Sequence, residues 1–403
     1  MSSLITSKLA NGLHVVNYEI KGLKAGALAI WFRQGYRDER VGEENYYHLL
    51  EHVMLSGSRR YPSEFEIEQV VADTGAYLNA STWLEHLCLT TEFLIEDLEK
   101  IFDLTADLTL APRLSQKTID RETKIINEEM MKNATDIKRT MNYFSTISMY
   151  HGTPLAHLAY DHERMVKDAT AEKISKLHQR LLNPSGMAII SIGDIPHERL
   201  LTLTQEYYGQ LEKQTPLIRE RAKPVPKTIE PDWPEGETKH IRLCWPAIGA
   251  DKSETYVFPL INMHLTGHED SILYRELRLK RGLVYNVKAF NNTASDAGYW
   301  YIDFTSSKPD EAITAVRKIL TSLKLTTEDL TRAKLRLIHQ ERRLFRTNFQ
   351  YAIKTLGISF HLLGRIPPAE ETERKIEAIV LSDVEKVIAE YLDFDKTMII
   401  KTK

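Results

Sequence analysis

The sequence predicts an α+β protein of two homologous halves, each a mainly antiparallel sheet packed with helices. Three observations lead there. A polar, proline-bearing stretch from Lys213 to Lys239, with Pro216, Pro224, Pro226, Pro231 and Pro234, separates two segments of domain size. On both sides of it, runs with period-2 hydrophobicity alternate with long amphipathic stretches. The order of those runs also repeats from one side to the other. The expected organisation is residues 1–212 as one domain, 213–239 as a linker and 240–403 as a second, related domain.

Taken in order, the chain opens with Met1-Ser-Ser-Leu-Ile-Thr and runs directly into a strand pattern, with neither a signal-peptide core nor an Arg-rich presequence. The next informative stretch is His48-Leu49-Leu50-Glu51-His52. Two histidines four apart share one helical face, so both imidazoles can reach one tetrahedral metal that keeps a position open for water. Glu51 lies beside them, placed to take a proton from a water whose pKa the metal lowers. The order H-x-x-E-H reverses the commoner H-E-x-x-H. An amphipathic helix with partly buried histidines is the plain alternative.

Gly75-Ala-Tyr-Leu-Asn-Ala then leads through Leu87-Cys-Leu-Thr-Thr-Glu-Phe to a helix expected over Ile95–Leu108. A charged helix follows over Ser115–Met131, with Ser115 as its N-cap. On it Glu122, Ile126 and Glu129 stand at i, i+4 and i+7 and share a face. Turned inward, that face buries two carboxylates beside an apolar residue, which is costly unless a positive charge such as zinc meets them. A solvated acidic face is the other reading.

The second half repeats the sequence of elements. Gly282-Leu-Val-Tyr-Asn-Val leads through Tyr299-Trp-Tyr-Ile-Asp-Phe to a helix near Glu311–Leu323 and then a charged helix over Thr327–Arg346. His264-Leu-Thr-Gly-His268 also has i, i+4 histidines. It lacks the intervening Glu and ends on a glycine-bearing turn, so neither is expected to bind metal.

Composition narrows the function classes. A net charge of −3 argues against nucleic acid, because the one basic group, Arg219, Arg221, Lys223 and Lys227, is broken up by Glu220, Pro224 and Pro226. Cys88 and Cys244 are the two cysteines, far apart in alternating apolar runs, which reads as buried strand residues and no disulfide framework. No apolar run reaches the length of a membrane span. A cytoplasmic protein with no membrane partner is the expectation.

His48-Leu-Leu-Glu51-His52, with 76 residues between His52 and Glu129, resembles the signature of the pitrilysin, insulin-degrading enzyme and mitochondrial processing peptidase family. The run Glu122…Ile125-Ile126-Asn127-Glu128-Glu129-Met130 resembles that family's E-R-x-x-V-L-x-E-I/M pattern, and the spacing selects Glu129 over Glu128. Leu9-Ala10-Asn11-Gly12-Leu13 resembles its opening strand, and Gly75-Ala76-Tyr77-Leu78-Asn79-Ala80-Ser81-Thr82 its edge strand. Asn183-Pro184 through Gly193-Asp194 resembles the strand closing the first domain, and Leu277-Arg278-Leu-Lys-Arg-Gly282-Leu283-Val284-Tyr285 resembles L-R-x-x-x-G-L-x-Y. One departure is Gly42-Glu43-Glu44-Asn45-Tyr46-Tyr47, where tyrosines replace small residues. Tyr46 and Tyr47, with Trp83 and Phe93, suit either an aromatic pocket for large apolar side chains or core packing.

The resemblance implies the duplicated processing-peptidase fold and one Zn²⁺ per chain, held by His48, His52 and Glu129. It implies Glu51 as general base, Glu122 as support orienting a ligand, and Arg278 and Tyr285 as groups acting on the bound peptide and its oxyanion. Asn79 and Ala80 on the exposed strand are the expected main-chain binding positions. Long relatives carry four such domains where this chain has two, so a chamber built from two chains is expected, a homodimer or a heterodimer with a related subunit. The implied activity is zinc metalloendopeptidase, acting on short or unfolded peptides. A noncatalytic subunit of a peptidase heterodimer and a dedicated maturase of one peptide precursor are the alternatives.

Overall fold

A computed structural model describes residues 2–133, 135–157, 165–229 and 236–402. The first part of the chain runs β1 (Ser2–Lys8), β2 (His14–Ile20), β3 (Ala25–Phe32), α1 (Tyr46–Leu55), α2 (Glu64–Thr74), β4 (Tyr77–Thr82), β5 (Leu87–Leu94), α3 (Leu98–Leu110) and α4 (Gln116–Asn133). It continues through α5 (Ile137–Met149), α6 (Ala171–Leu181), β6 (Met187–Gly193) and α7 (His197–Tyr208). Beyond the proline-bearing stretch come β7 (Lys239–Ala247), α8 (Val257–Thr266), β8 (Val287–Thr293), β9 (Gly298–Ser306), α9 (Pro309–Thr321) and α10 (Thr327–Thr347). The chain ends with α11 (Phe349–Leu363), α12 (Ala369–Ala378), α13 (Leu381–Tyr391) and β10 (Met398–Lys401). The four helices expected from periodicity are all present, displaced by at most about three residues at an end, where helix boundaries are least determined.

Two compact units form, and their borders differ from a simple cut at the linker. The first holds residues 1–132, 157–220 and 344–366, and the second holds 133–156, 221–343 and 367–403. Helix α5 thus belongs to the second unit and α11 to the first. Amphipathic periodicity shows that such a helix has an apolar face but not which sheet receives it.

The first unit's sheet has the order β1-β2-β6-β3-β5-β4 and is antiparallel except for the β2–β6 pair. Leu28, Ile30 and Phe32 of β3 face a core built with α1, α3, α4, α6 and α7. Ala27, Ala29 and Trp31 alternate to the other face, where Ala352, Ile353, Leu356 and Phe360 of α11 cover them. Both faces are therefore buried, which is why β6, Met-Ala-Ile-Ile-Ser-Ile-Gly, is buried at every position. Gly357 permits the close approach of α11, since a Cβ there would fall 2.1 Å from the Trp31 ring.

The second unit's sheet has the order β10-β7-β9-β8, all antiparallel. One face carries Ile241, Leu243, Trp245, Trp300 and Ile302 against α8, α9 and α13. Helix α5 also packs on this sheet: Arg242 of β7 donates to Asn142 at 2.6 Å, and the Thr146 and Tyr299 hydroxyls are 3.1 Å apart. Cys88 and Cys244 are free, buried strand residues as expected. Among the described residues, no helix is long and apolar enough to cross a membrane.

Candidate metal centre

The site begins at the start of α1. Asn45 adopts a left-handed conformation, φ 58°, which Asn tolerates better than most residues. The buried Glu39 carboxylate then accepts from the amides of Asn45 at 3.1 Å and Tyr47 at 3.2 Å, satisfying donors that a helix start leaves open. Tyr46 and Tyr47 are buried, with hydroxyls donating to the Lys167 carbonyl and to Gln34 Oε1. Phe93 is likewise buried, whereas Trp83 is partly exposed. Of the two readings of the tyrosine pair, core packing holds: they anchor the helix that carries the motif.

One turn later His48 and His52 stand on the same face, ring centroids 4.8 Å apart and nearly perpendicular. Glu129 of α4 meets them. Its Oε2 lies 3.7 Å from His48 Nε2 and 3.6 Å from His52 Nε2, and the three ligand atoms all fall within 4.8 Å of one another. Tetrahedral zinc with bonds of about 2.0–2.2 Å separates its ligand atoms by about 3.3–3.6 Å. Two imidazole nitrogens and one carboxylate oxygen, nearly at that spacing, fit zinc. Glu128 is exposed, so the family spacing and the geometry select the same neighbour.

Charges in the site follow from its surroundings. Burial, then the neighbouring His52, lower the His48 pKa to about 4, leaving the neutral imidazole a metal needs. Burial also acts on His52, but hydrogen bonds to Glu122 and Glu129 outweigh it and raise that pKa to about 9. Glu122 is buried on α4, its Oε2 3.3 Å from His52 Nδ1, and its Oε1 accepts from Ser56 at 2.9 Å and Arg121 at 2.8 Å. Burial opposes the Glu122 charge, yet these bonds hold its pKa below the usual range. Burial pushes Glu51 up to about 7, against a hydrogen bond from the Thr82 hydroxyl on β4.

Sequence reasoning named the ligands but gave no role to Thr82, Ser56 and Arg121. Thr82 stood within the edge-strand block, and only the tertiary approach of β4 to α1 reveals its contact with Glu51. Asn79 and Ala80 lie on β4, an edge strand of the sheet; Asn79 is exposed, whereas the Ala80 side chain is buried.

Arg278 and Tyr285 belong to the second unit. The guanidinium sits between two rings, 5.0 Å from the centroid of Tyr274 and 4.8 Å from that of Tyr285. Gly282, at φ +59°, lets the turn close, with its amide on the Arg278 carbonyl and the Leu283 amide on the Leu277 carbonyl. His264 is half-buried on α8 and His268 is exposed in the following turn; among the described residues neither joins a metal-binding group.

Residues 15–161 match the family model described as Insulinase (Peptidase family M16), and residues 168–337 match that of the Peptidase M16 inactive domain. The chain belongs to the M16 peptidase family. In this M16 chain the converging His48, His52 and Glu129 all lie within the first matched segment, and Arg278 and Tyr285 lie within the second. The chain is 24% identical over 300 residues to an uncharacterized zinc protease of Mycobacterium leprae, an overlap covering 72% of this chain and 66% of that protein. It thus spans about two thirds of that relative's length. It is 22% identical over 399 residues to the mitochondrial-processing peptidase subunit beta of Neurospora crassa, covering 94% of this chain and 83% of that one. The crystal structure of a protease from Helicobacter pylori superposes with a TM-score of 0.86 at 16% identity, over all of both chains, which shows the shared fold. These relatives support a peptidase-related function for this M16 member.

Proposed function

We propose that the protein is a zinc metalloendopeptidase acting on short or unfolded peptides, with one zinc per chain. The observation that carries this reading is the convergence of His48, His52 and Glu129 beside a buried Glu51. Zinc held there supplies Lewis acidity, lowering the pKa of water and polarising a carbonyl.

The protein's own groups do the rest. Glu51 takes a proton from the attacking water and passes it to the leaving amine, a task suited to a carboxyl whose pKa lies near neutrality. Glu122 fixes the His52 ring through Nδ1 and so aims Nε2 at the metal. Substrate main chain pairs along β4 at Asn79 and Ala80, adding a strand; main-chain pairing reads no side chains, so many sequences fit. Tyr285 donates to the developing oxyanion and Arg278 holds a substrate carbonyl.

Two chains complete the chamber in this reading, as a homodimer, because one chain carries both the zinc residues and the Arg278/Tyr285 pair. The likeness to a processing-peptidase subunit and to the family's inactive domain favours one rival, a subunit that needs a different partner. Incubating wild type and Glu51→Gln with a mixture of unstructured peptides, and identifying products by mass spectrometry, tests the proposal. Wild type is expected to cut and the variant to leave the peptides intact. A zinc-loaded dimer of the wild type that cuts nothing contradicts it and favours the partner-dependent subunit.

A further inference from the structure

The second unit carries a polar cavity that peptide hydrolysis does not use. It holds about 230 Å³ and opens between the end of α8, the turn around Asp270 and Ser271, and the first turns of α10. Four cationic side chains line it, Arg275, Lys324, Arg332 and Arg336, against two carboxylates, Asp270 and Asp329.

Both carboxylates are already engaged. Asp270 receives a two-pronged contact from Arg336, at 3.0 and 2.6 Å. Asp329 accepts from the amide and hydroxyl of Thr326, at 3.0 and 2.7 Å, closing the start of α10. Arg332 pairs with Glu328 at 2.6 Å. Among the described residues Arg275 reaches only Glu276, at 4.0 Å, and Lys324 makes no hydrogen bond or ion pair. His264 of α8 also lines the cavity.

We propose that this cavity binds a phosphate-class oxyanion, met by Arg275 and Lys324. A surplus of positive charge disfavours a metal cation. Cations arriving from the wound segment Tyr274–Lys280 and from the segment before α10 suit an acceptor with oxygens pointing in several directions, which a phosphate group has. The cavity is smaller than the roughly 300–1,000 Å³ clefts that hold drug-sized ligands, so the occupant is the phosphate group itself and not a nucleotide base. Arg275 also lies within the wound segment Tyr274–Lys280 that carries Arg278, so an oxyanion on Arg275 restrains that segment.

Calorimetric titration of the full-length chain with inorganic phosphate, at constant ionic strength set by sodium chloride, tests the site. Saturable binding at one site per chain is expected, with slowed amide exchange over residues 264–281 and 324–336. The exposed double substitution R275Q/K324Q is expected to weaken binding at least about ten-fold, while R275K/K324R stays within about three-fold and K308Q, elsewhere in the same unit, leaves it unchanged. A parallel titration with O-phosphoserine identifies the source: tighter binding than inorganic phosphate assigns a phosphoryl ester, weaker binding assigns the free ion, provided R275Q/K324Q weakens either by the same roughly ten-fold or more. No saturable binding beyond that of chloride, or binding that R275Q/K324Q leaves unchanged, overturns the proposal.

Discussion

Glu122 holds His52 from behind: its Oε2 lies 3.3 Å from Nδ1, leaving Nε2 to face Glu129. The other oxygen of Glu122 is itself fixed by Ser56 and Arg121, so the ring orientation is set by a chain of contacts and not by one bond. Partners of this kind change metal affinity about 10- to 100-fold. Glu122→Gln is expected to weaken zinc binding by that amount without unfolding the chain, measured by competition with a chelator. Equal affinities in variant and wild type would remove Glu122 from the site.

Thr82 gives Glu51 a hydrogen bond in a buried setting. Hydrogen bonds to charged groups contribute about 1.5–3 kcal/mol, which corresponds to about 10- to 100-fold in rate if the bond positions the base. Thr82→Val is therefore expected to lower kcat by about that factor while zinc content and KM change little. A fall in zinc content would instead make Thr82 a structural residue of the metal centre.

Gly357 faces the Trp31 ring across α11. Alanine is the better helix former by about 1 kcal/mol, but its Cβ would lie 2.1 Å from a ring that is buried and stacked on His86 at 4.6 Å. Overpacking of this kind costs about 1–3 kcal/mol, and the ring has no open space to move into, so the steric effect wins. Gly357→Ala is expected to lower the urea midpoint. A midpoint equal to or above that of wild type would show that α11 is not packed as described.

Acid should loosen the same region. His86 packs 4.5 Å from His361 of α11, both rings stacked near Trp31, and both pKa values are lowered by burial first: His86 well below 6.5, with His361 adding to the effect, and His361 to about 3, with Arg219 and Arg33 adding to it. His14, against Phe360, falls to about 4, again by burial before Lys8 and Arg33. The unfolded chain takes up these protons near pH 6.5 and the folded chain only far below it. The stability these neutral rings contribute is therefore present above about pH 6.5 and is lost as pH falls from there toward about 3–4. Urea midpoints at pH 6.5 and 5.0 are expected to drop more for wild type than for His361→Phe. Equal drops would contradict the buried neutral pair.

The parts of this arrangement that could be read from sequence are those set by local geometry. The i, i+4 spacing of His48 and His52 needs only a helix, and the shared face of Glu122, Ile126 and Glu129 needs only its periodicity, whereas whether that face turns inward or stays solvated does not follow from periodicity. Choosing Glu129 over Glu128 took the long spacing of the family pattern, because either carboxylate satisfies local rules. Tyr46 and Tyr47 were ambiguous for a physical reason, since an amphipathic ring suits a pocket or a core equally until its hydroxyl finds Lys167 or Gln34. The exchange of α5 and α11 between units lay beyond periodicity, although the unbroken apolar run of β6 was a visible sign that its sheet is covered on both faces. Thr82 and Glu51 are 31 positions apart, and only the packing of β4 on α1 joins them.

Zinc content per chain, measured by elemental analysis after loading and dialysis, tests the metal centre most directly when wild type is compared with Glu51→Gln, His48→Ala, His52→Ala and Glu129→Ala. One zinc in wild type and in Glu51→Gln, with loss in the three ligand variants, is the predicted result. Retention of zinc after removal of His48, His52 or Glu129, or its loss in Glu51→Gln, would contradict the assignment of ligands and base.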